Sequence, residues 1–237
     1  MPLSQSSDRV VLDSPQALAT AAAAWVADCV TETLTRRDTC AIALSGGRTP
    51  QPVHAALARG HRDLDWARIH VYFADERAVP PDDPNSNYRM ARESLLDGVP
   101  LPAANVHRME AERADLDAAA REYERLLPIL DVLLLGIGPD GHTASLFPGA
   151  PTLEERSRRV VPADSPFPPP RRLTVTPPVI GEARRTAMIV SGGDKATVVA
   201  RALEGPVDPR ALPAQLALGA TWFLDRAAAA ALTGAST

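Results

Sequence analysis

Apolar residues along this chain fall into two alternating patterns. The first is a short, nearly unbroken apolar run that closes on glycine. It occurs at Cys40–Leu44 before Ser45-Gly46-Gly47, at Val132–Leu135 before Gly136, and as the last four residues of the strand segment Arg184–Val190 before Ser191-Gly192-Gly193. Runs of this length bounded by turn residues predict buried strands. Ile69–Phe73, Arg172–Thr176 and Ala220–Leu224 read as further strands, Asn105-Val106-His107 as a short one, and Arg156–Val161 as an irregular or edge segment. The second pattern has helical spacing. Over Ser14–Thr35, residues Leu18, Ala22, Trp25, Val26, Cys29, Val30 and Leu34 recur at mostly three- and four-residue steps, and Ser14-Pro15 supplies an N-cap and first turn. Ala114–Leu127 predicts an amphipathic helix with Glu and Arg on its wet face. Pro52–Leu57, Tyr88–Leu96, Ala196–Leu203 and Asp225–Leu232 predict shorter helices, and Pro177–Gly181 begins another. Strands alternate with helices throughout. The expectation is an α/β fold with a mostly parallel sheet and helices on both faces, as one domain over residues 1–237. No repeat of fixed period is present, and the proline-dense stretch Ala163–Pro170 is too short to be an interdomain linker.

The strand ends carry the chemistry. Asp131–Gly149 (DVLLLGIGPDGHTASLFPG) begins as a buried strand, passes three glycines in six residues and delivers His142, followed by a short helix-compatible stretch. Strands of open α/β sheets bind ligands at their carboxyl ends, and a neutral imidazole is the commonest general base. The other histidines (His54, His61, His70 and His107) lack this context and read as surface or half-buried. The turn Ser45-Gly46-Gly47-Arg48-Thr49-Pro50 leads from strand to helix, with Thr49-Pro50 as cap and first turn. Such a turn presents backbone N–H groups to an anion. Ser191-Gly192-Gly193-Asp194-Lys195 repeats the device. In both turns a cation, Arg48 or Lys195, stands at the positive end of the following helix. The helix dipole disfavours that placement unless an anion lies between them. The tip of Ile69–Phe73 carries Asp75, Glu76 and Arg77 before a long polar loop, Val79–Asn87, the kind of loop that often binds ligands.

Composition narrows the classes. A net charge of -4 argues against a nucleic-acid surface. Cys29 and Cys40 have no metal-ligand spacing and read as small core residues, which suits a reducing cytoplasm. The N-terminal stretch has no apolar leader, and no run approaches 18 apolar residues, so no membrane association is expected. No cluster of His, Asp or Glu predicts a metal site; Asp140 and His142 alone do not make one. Gly136-x-Gly138-x-x-Gly141 matches the dinucleotide fingerprint formally. Too little helix follows before Pro148, so no NAD is expected. Ser45, Ser145 and Ser191 lie near glycine turns but in no Gly-x-Ser-x-Gly elbow, and read as caps or phosphate-contacting hydroxyls.

Five stretches, at Leu44–Pro50, Phe73–Ala91, Gly136–Gly149, Arg172–Ile180 and Ser191–Ala196, together resemble the 6-phosphogluconolactonases. The resemblance runs from Ala41 to the final helix. It implies a Rossmann-like fold shared with glucosamine-6-phosphate deaminases/isomerases. It also implies hydrolysis of 6-phospho-D-glucono-1,5-lactone in the oxidative pentose phosphate pathway, without metal or organic cofactor. The deaminase pattern usually has an aromatic residue where this chain has Arg77, and a glutamate just before the Pro-Gly where it has Phe147. A deaminase-like enzyme and a non-catalytic sugar-phosphate binder are the alternatives. On the lactonase reading, His142 activates water and Asp75 or Asp140 fixes its tautomer. Arg77 or backbone N–H groups meet the oxyanion. Ser45, Gly46, Gly47, Arg48, Thr49, Arg172 and Lys195 hold the phosphate, although either Arg171 or Arg172 could face the site. The expected partner is a small sugar-phosphate lactone, with the protein a cytoplasmic monomer or weak homodimer.

Overall fold

The alternation resolves into two sheets in the computed structural model, which describes residues 8–233. The larger holds β1 (Arg9–Leu12), β2 (Cys40–Leu44), β3 (Ile69–Phe73), β5 (Val132–Leu135), β8 (Arg185–Val190) and β9 (Thr221–Asp225). Their order is β1-β9-β8-β5-β2-β3, and every pairing is parallel. Every residue of β2 and β5 is buried, as expected of central parallel strands with both faces covered. The chain leaves β2 outward to β3, and leaves β5 in the opposite direction to β8 and β9. With right-handed crossovers, that reversal sends successive helices to opposite faces and opens a crevice at the carboxyl ends of β2 and β5.

Helix α1 (Pro15–Leu34) is capped as its sequence predicts, with Ala17 N donating to Ser14 Oγ at 3.1 Å. It packs against α2 (Pro50–Gly60) and the sheet. The remaining helices are α3 (Asn87–Ser94), α4 (Leu116–Leu126), α5 (Pro177–Glu182), α6 (Ala196–Glu204) and α7 (Arg226–Ala229). Cys29 and Cys40 are buried free thiols, and burial pushes them up to about 11 and about 12. Among the described residues, no helix is long and apolar enough to cross a membrane.

The second sheet was not expected. It contains β4 (Asp75–Arg77), β6 (Val160–Asp164) and β7 (Arg171–Val175), antiparallel in the order β4-β7-β6. Asp75–Arg77 is thus a strand, not a loose tip, and Arg172–Thr176 pairs with it, not with the parallel sheet. Only Ala74 separates β3 from β4. Its N–H donates to Leu44 O in one sheet, and its C=O accepts from Val175 N in the other, both at 2.8 Å. The buried apolar cluster runs through both sheets, from Leu18 and Val132 to Val160, Leu173 and Val175.

Other expectations change locally. Strand β1 is an addition; its four residues are only half covered and gave no buried-run signal. Asn105–His107 makes a single bridge, Val71 to Val106, and no strand. Thr143–Leu146 is a bridged turn, without the helix anticipated after His142. Helix α7 stops at Ala229, short of Leu232. His54 is fully buried beneath α2, against the surface or half-buried reading, because the helix turns it inward with Val53 and Leu57.

Candidate active site

The crevice between β2 and β5 holds a cavity of about 210 Å³. Ser45, Gly46, Gly47, Arg48 and Thr49 line one side, Asp75, Arg77 and Arg172 another, and Gly138, His142, Ala144 and Lys195 the rest. Ten of the eleven residues anticipated as site residues therefore meet here. The eleventh, Asp140, stands behind His142.

The first glycine turn has Gly47 at φ 103°, where a side chain would be strained. Gly46 has a different reason: an added Cβ would fall 1.7 Å from Asn87 Oδ1. Thr49 occupies the N-cap position of α2 but has helical backbone angles and makes no side-chain cap bond. That part of the expectation fails, and its hydroxyl is not tied to the helix. Ser45 is buried, and its Oγ has no partner among the described residues. The second turn also uses a glycine at φ 103°, Gly192. Asp225 at the end of β9 holds it, accepting from Ser191 Oγ and from Gly192 N. An adjoining cavity of about 300 Å³ is lined by Arg48 and Thr49 from one turn and Ser191, Asp194 and Lys195 from the other. The two cations that violate the dipole rule thus face shared space. The Asp194 carboxylate lies 3.8 Å from Lys195.

His142 is fixed by its own loop. Its carbonyl accepts from Gly138 N at 2.8 Å, and its N–H donates to Asp140 Oδ1 at 3.2 Å. The Nδ1 atom lies 2.6 Å from the same carboxylate oxygen. An ionised carboxylate only accepts, so the neutral imidazole carries its proton on Nδ1 and leaves a lone pair on Nε2. Burial raises the Asp140 carboxyl, but the hydrogen bonds and charge of His142 outweigh it and hold the group below its ordinary range. The glycines that mimic a dinucleotide loop serve this packing. A Cβ at Gly138 would fall 2.0 Å from His142 Nδ1, and one at Gly141 (φ 91°) would fall 2.1 Å from Leu212 Cδ1. Ala144 takes φ 49°, a costly angle for a residue with a side chain, beside the cavity.

Asp75 makes other contacts. It accepts from Ser145 Oγ at 2.6 Å and from Asn87 Nδ2 at 3.0 Å, with Arg172 Nη1 at 4.0 Å. Of the two acids considered as partners of His142, geometry brings Asp140 to the ring and leaves Asp75 to join β4, α3 and the turn after His142. Arg172 is buried and lines the cavity, whereas Arg171 is exposed. The Arg172 Nε donates to Pro169 O at 2.9 Å. Burial lowers the Arg172 guanidinium, with Asp75 opposing that pull. Arg77 Nη1 donates to Asn85 O at 2.6 Å, while Nε is buried without a partner among the described residues. No group of three or more His, Cys, Asp or Glu among the described residues is placed to hold a metal ion.

Known proteins share this architecture. The family model for glucosamine-6-phosphate isomerases/6-phosphogluconolactonase matches residues 13–223. A protein from Mycobacterium tuberculosis named 6-phosphogluconolactonase is 43% identical over 209 residues, covering 81% of this chain and 84% of its own. One of the same name from Synechocystis is 39% identical, covering 92% and 95%. The chain belongs to this family. Among solved structures, the 6-phosphogluconolactonase from Trypanosoma brucei superposes with a TM-score of 0.84 at 27% identity, covering 96% of this chain and 99% of that one. A monomeric glucosamine-6-phosphate deaminase superposes nearly as well, with a TM-score of 0.83 at 27% identity over 94% and 99%. Within the family, then, the fold alone does not separate the two chemistries.

Glu76, Asn87 and Ser145 are buried and support the site; Asn87 carries no signal in the sequence, and Ser145, expected to be a cap or phosphate-contacting hydroxyl, instead donates to Asp75. Glu76 accepts from Arg77 N, Asn87 N, Tyr88 N and Ser86 Oγ, at 2.7, 2.8, 2.8 and 3.0 Å. Burial raises its carboxyl, against the pull of the three backbone N–H groups. Asn87 and Ser145 flank Asp75. In the sequence Glu76 reads as one of three charges at a strand tip, and only its burial separates it from a solvated cluster. Phe147 packs on His142 with ring centroids 4.6 Å apart.

Proposed function

We propose that this chain hydrolyses 6-phospho-D-glucono-1,5-lactone to 6-phospho-D-gluconate, a step of the oxidative pentose phosphate pathway. One arrangement carries the reading: a carboxylate-tethered imidazole lines the same crevice as cations from two separate glycine turns. The substrate phosphate rests on the Gly46–Thr49 turn, with Arg48 and Lys195 compensating its charge, Arg172 adding charge from the wall and Ser45 offering a hydroxyl. Holding the dianion there orients the lactone. His142 Nε2 takes a proton from water as the water oxygen bonds to C1. The carbonyl electron pair moves onto oxygen, and Arg77 stabilises that oxyanion. Collapse of the tetrahedral intermediate breaks the bond from C1 to the ring oxygen, which receives the proton from His142. Asp140 holds the imidazole in the tautomer this needs and stabilises its cation. The scheme requires no metal or organic cofactor.

A second reading, glucosamine-6-phosphate deamination, is favoured by the likeness to the solved deaminase. That reaction moves protons between neighbouring carbons and needs more acid–base groups. Phe147 puts an apolar ring where the deaminase pattern has a glutamate. The deciding assay offers the protein freshly generated 6-phosphogluconolactone and, separately, glucosamine 6-phosphate. Lactone hydrolysis above the spontaneous rate with no ammonia release is the expected result; the opposite pattern reverses the assignment.

A further inference from the structure

The loop Ser165–Pro170 places a phenylalanine, 42% exposed, against the imidazole, although its ring does not line the cavity. We propose that Phe167 is a positioning residue. It closes the outer side of the His142 ring, which Phe147 backs from the core, and so shields the pair of His142 with Asp140 and stabilises the imidazolium formed on proton transfer. The inference rests on the reading of His142 as the base.

Three rings meet in a triangle. His142 lies 4.6 Å from Phe147 and 6.1 Å from Phe167 by ring centroid, and the two phenyl rings lie 6.3 Å apart. Phe147 is buried and Phe167 is not. Other large apolar side chains among the described residues are at least as exposed as Phe167, and what sets it apart is its place beside the His142 ring. The loop is built to hold it there. Pro166, Pro168, Pro169 and Pro170 restrict φ on both sides. Ser165 N donates to Pro170 O at 2.6 Å, and Phe167 N donates to Ser165 Oγ at 3.0 Å. Arg172 Nε fastens Pro169 O at 2.9 Å, tying the loop to the cavity wall.

Two effects follow from that contact. A phenyl ring beside an imidazole attracts it more strongly once it is a cation. Excluding water from one side also strengthens the Nδ1–carboxylate bond. Both act when the proton moves, and neither touches the phosphate, so Phe167 should affect kcat and leave KM nearly unchanged.

The test uses Phe167→Ala and Phe167→Tyr in the full chain. The expected result for F167A is a kcat lower by about 3- to 30-fold, KM within about twofold and an unchanged melting temperature. F167Y should recover most of the rate. A second readout is independent of turnover: the His142 ring-proton NMR signals, assigned by their loss in H142N, should shift in F167A as one ring current is removed. An unmoved signal, or a rate loss confined to KM, or no rescue by tyrosine, overturns the proposal. If the parent protein fails to hydrolyse the lactone while the NMR shift is present, the assigned reaction is wrong and the ring contact stands.

Discussion

At the scale of single residues, the site depends on one side chain whose tautomer and orientation are both imposed. His142→Asn keeps a polar group of similar reach but no titratable base, and should lower kcat for the lactone by about 10²- to 10⁴-fold. Near-parent turnover in that variant would remove His142 from the reaction. Gly138→Ala probes the same ring from outside. The added methyl needs the space of Nδ1, so activity should fall far more than thermal stability; a fully active G138A would show that the ring need not sit there. The preference for Asp140 over Asp75 was not legible in the sequence, because both acids follow a strand end. It is decided by the left-handed Gly141, which folds the loop so that a carboxylate two residues away reaches Nδ1. His54 makes a separate prediction. Burial lowers it from 6.5 to about 4, so the unfolded chain binds its proton more readily than the folded one. Its contribution is fully present above pH 6.5 and is lost as pH falls toward 4, with a ceiling of about 3 kcal/mol. Urea unfolding at pH 7 and pH 4.5 should show this loss in the parent and a smaller one in His54→Leu. Equal losses in both proteins would place the acid sensitivity elsewhere.

Among the elements, the strand–glycine–helix units were the most legible part of the chain, since buried runs, positive-φ glycines and helix starts all leave local marks. Their meeting at one crevice was legible only through the two misplaced cations. The antiparallel sheet was not legible. Strand β4 is three charged residues, Asp75, Glu76 and Arg77, and its pairing with β7 is set by tertiary contact, against any apolar pattern. Its middle residue organises the start of α3. A glutamine at 76 has one acceptor oxygen in place of two, and Glu76→Gln should cost about 1–3 kcal/mol in denaturant unfolding. It should also lower kcat by loosening the Arg77 loop; unchanged stability would mean that the four donors find other partners. For the second glycine turn, Lys195→Ala should reduce kcat/KM by about 10- to 100-fold, mostly through KM. Equal activity of the parent on unphosphorylated gluconolactone would sink the anion argument altogether.

Over the whole molecule, site and scaffold occupy opposite ends of the parallel sheet. Asp131 stands at the amino end of β5, buried, accepting from Ala41 N at 2.9 Å, with Arg184 at 3.3 Å and Arg37 at 3.8 Å. The parallel arrangement separates such braces from the chemistry, which lies at the carboxyl ends. Ala74 joins the two sheets differently, through the two hydrogen bonds of a single peptide residue. In a protein whose sheets could open one at a time, native-state amide exchange would report two free energies of opening. Here a slip of the antiparallel sheet away from Ala74 pulls on the residue that also ends the β2–β3 ladder. The amides of Ala74 and Val175 should therefore exchange by one shared opening, with matching dependence on added denaturant. The half of the crevice that carries Asp75, Arg77 and Arg172 would then be lost or kept together with the half that carries Ser45 to Thr49.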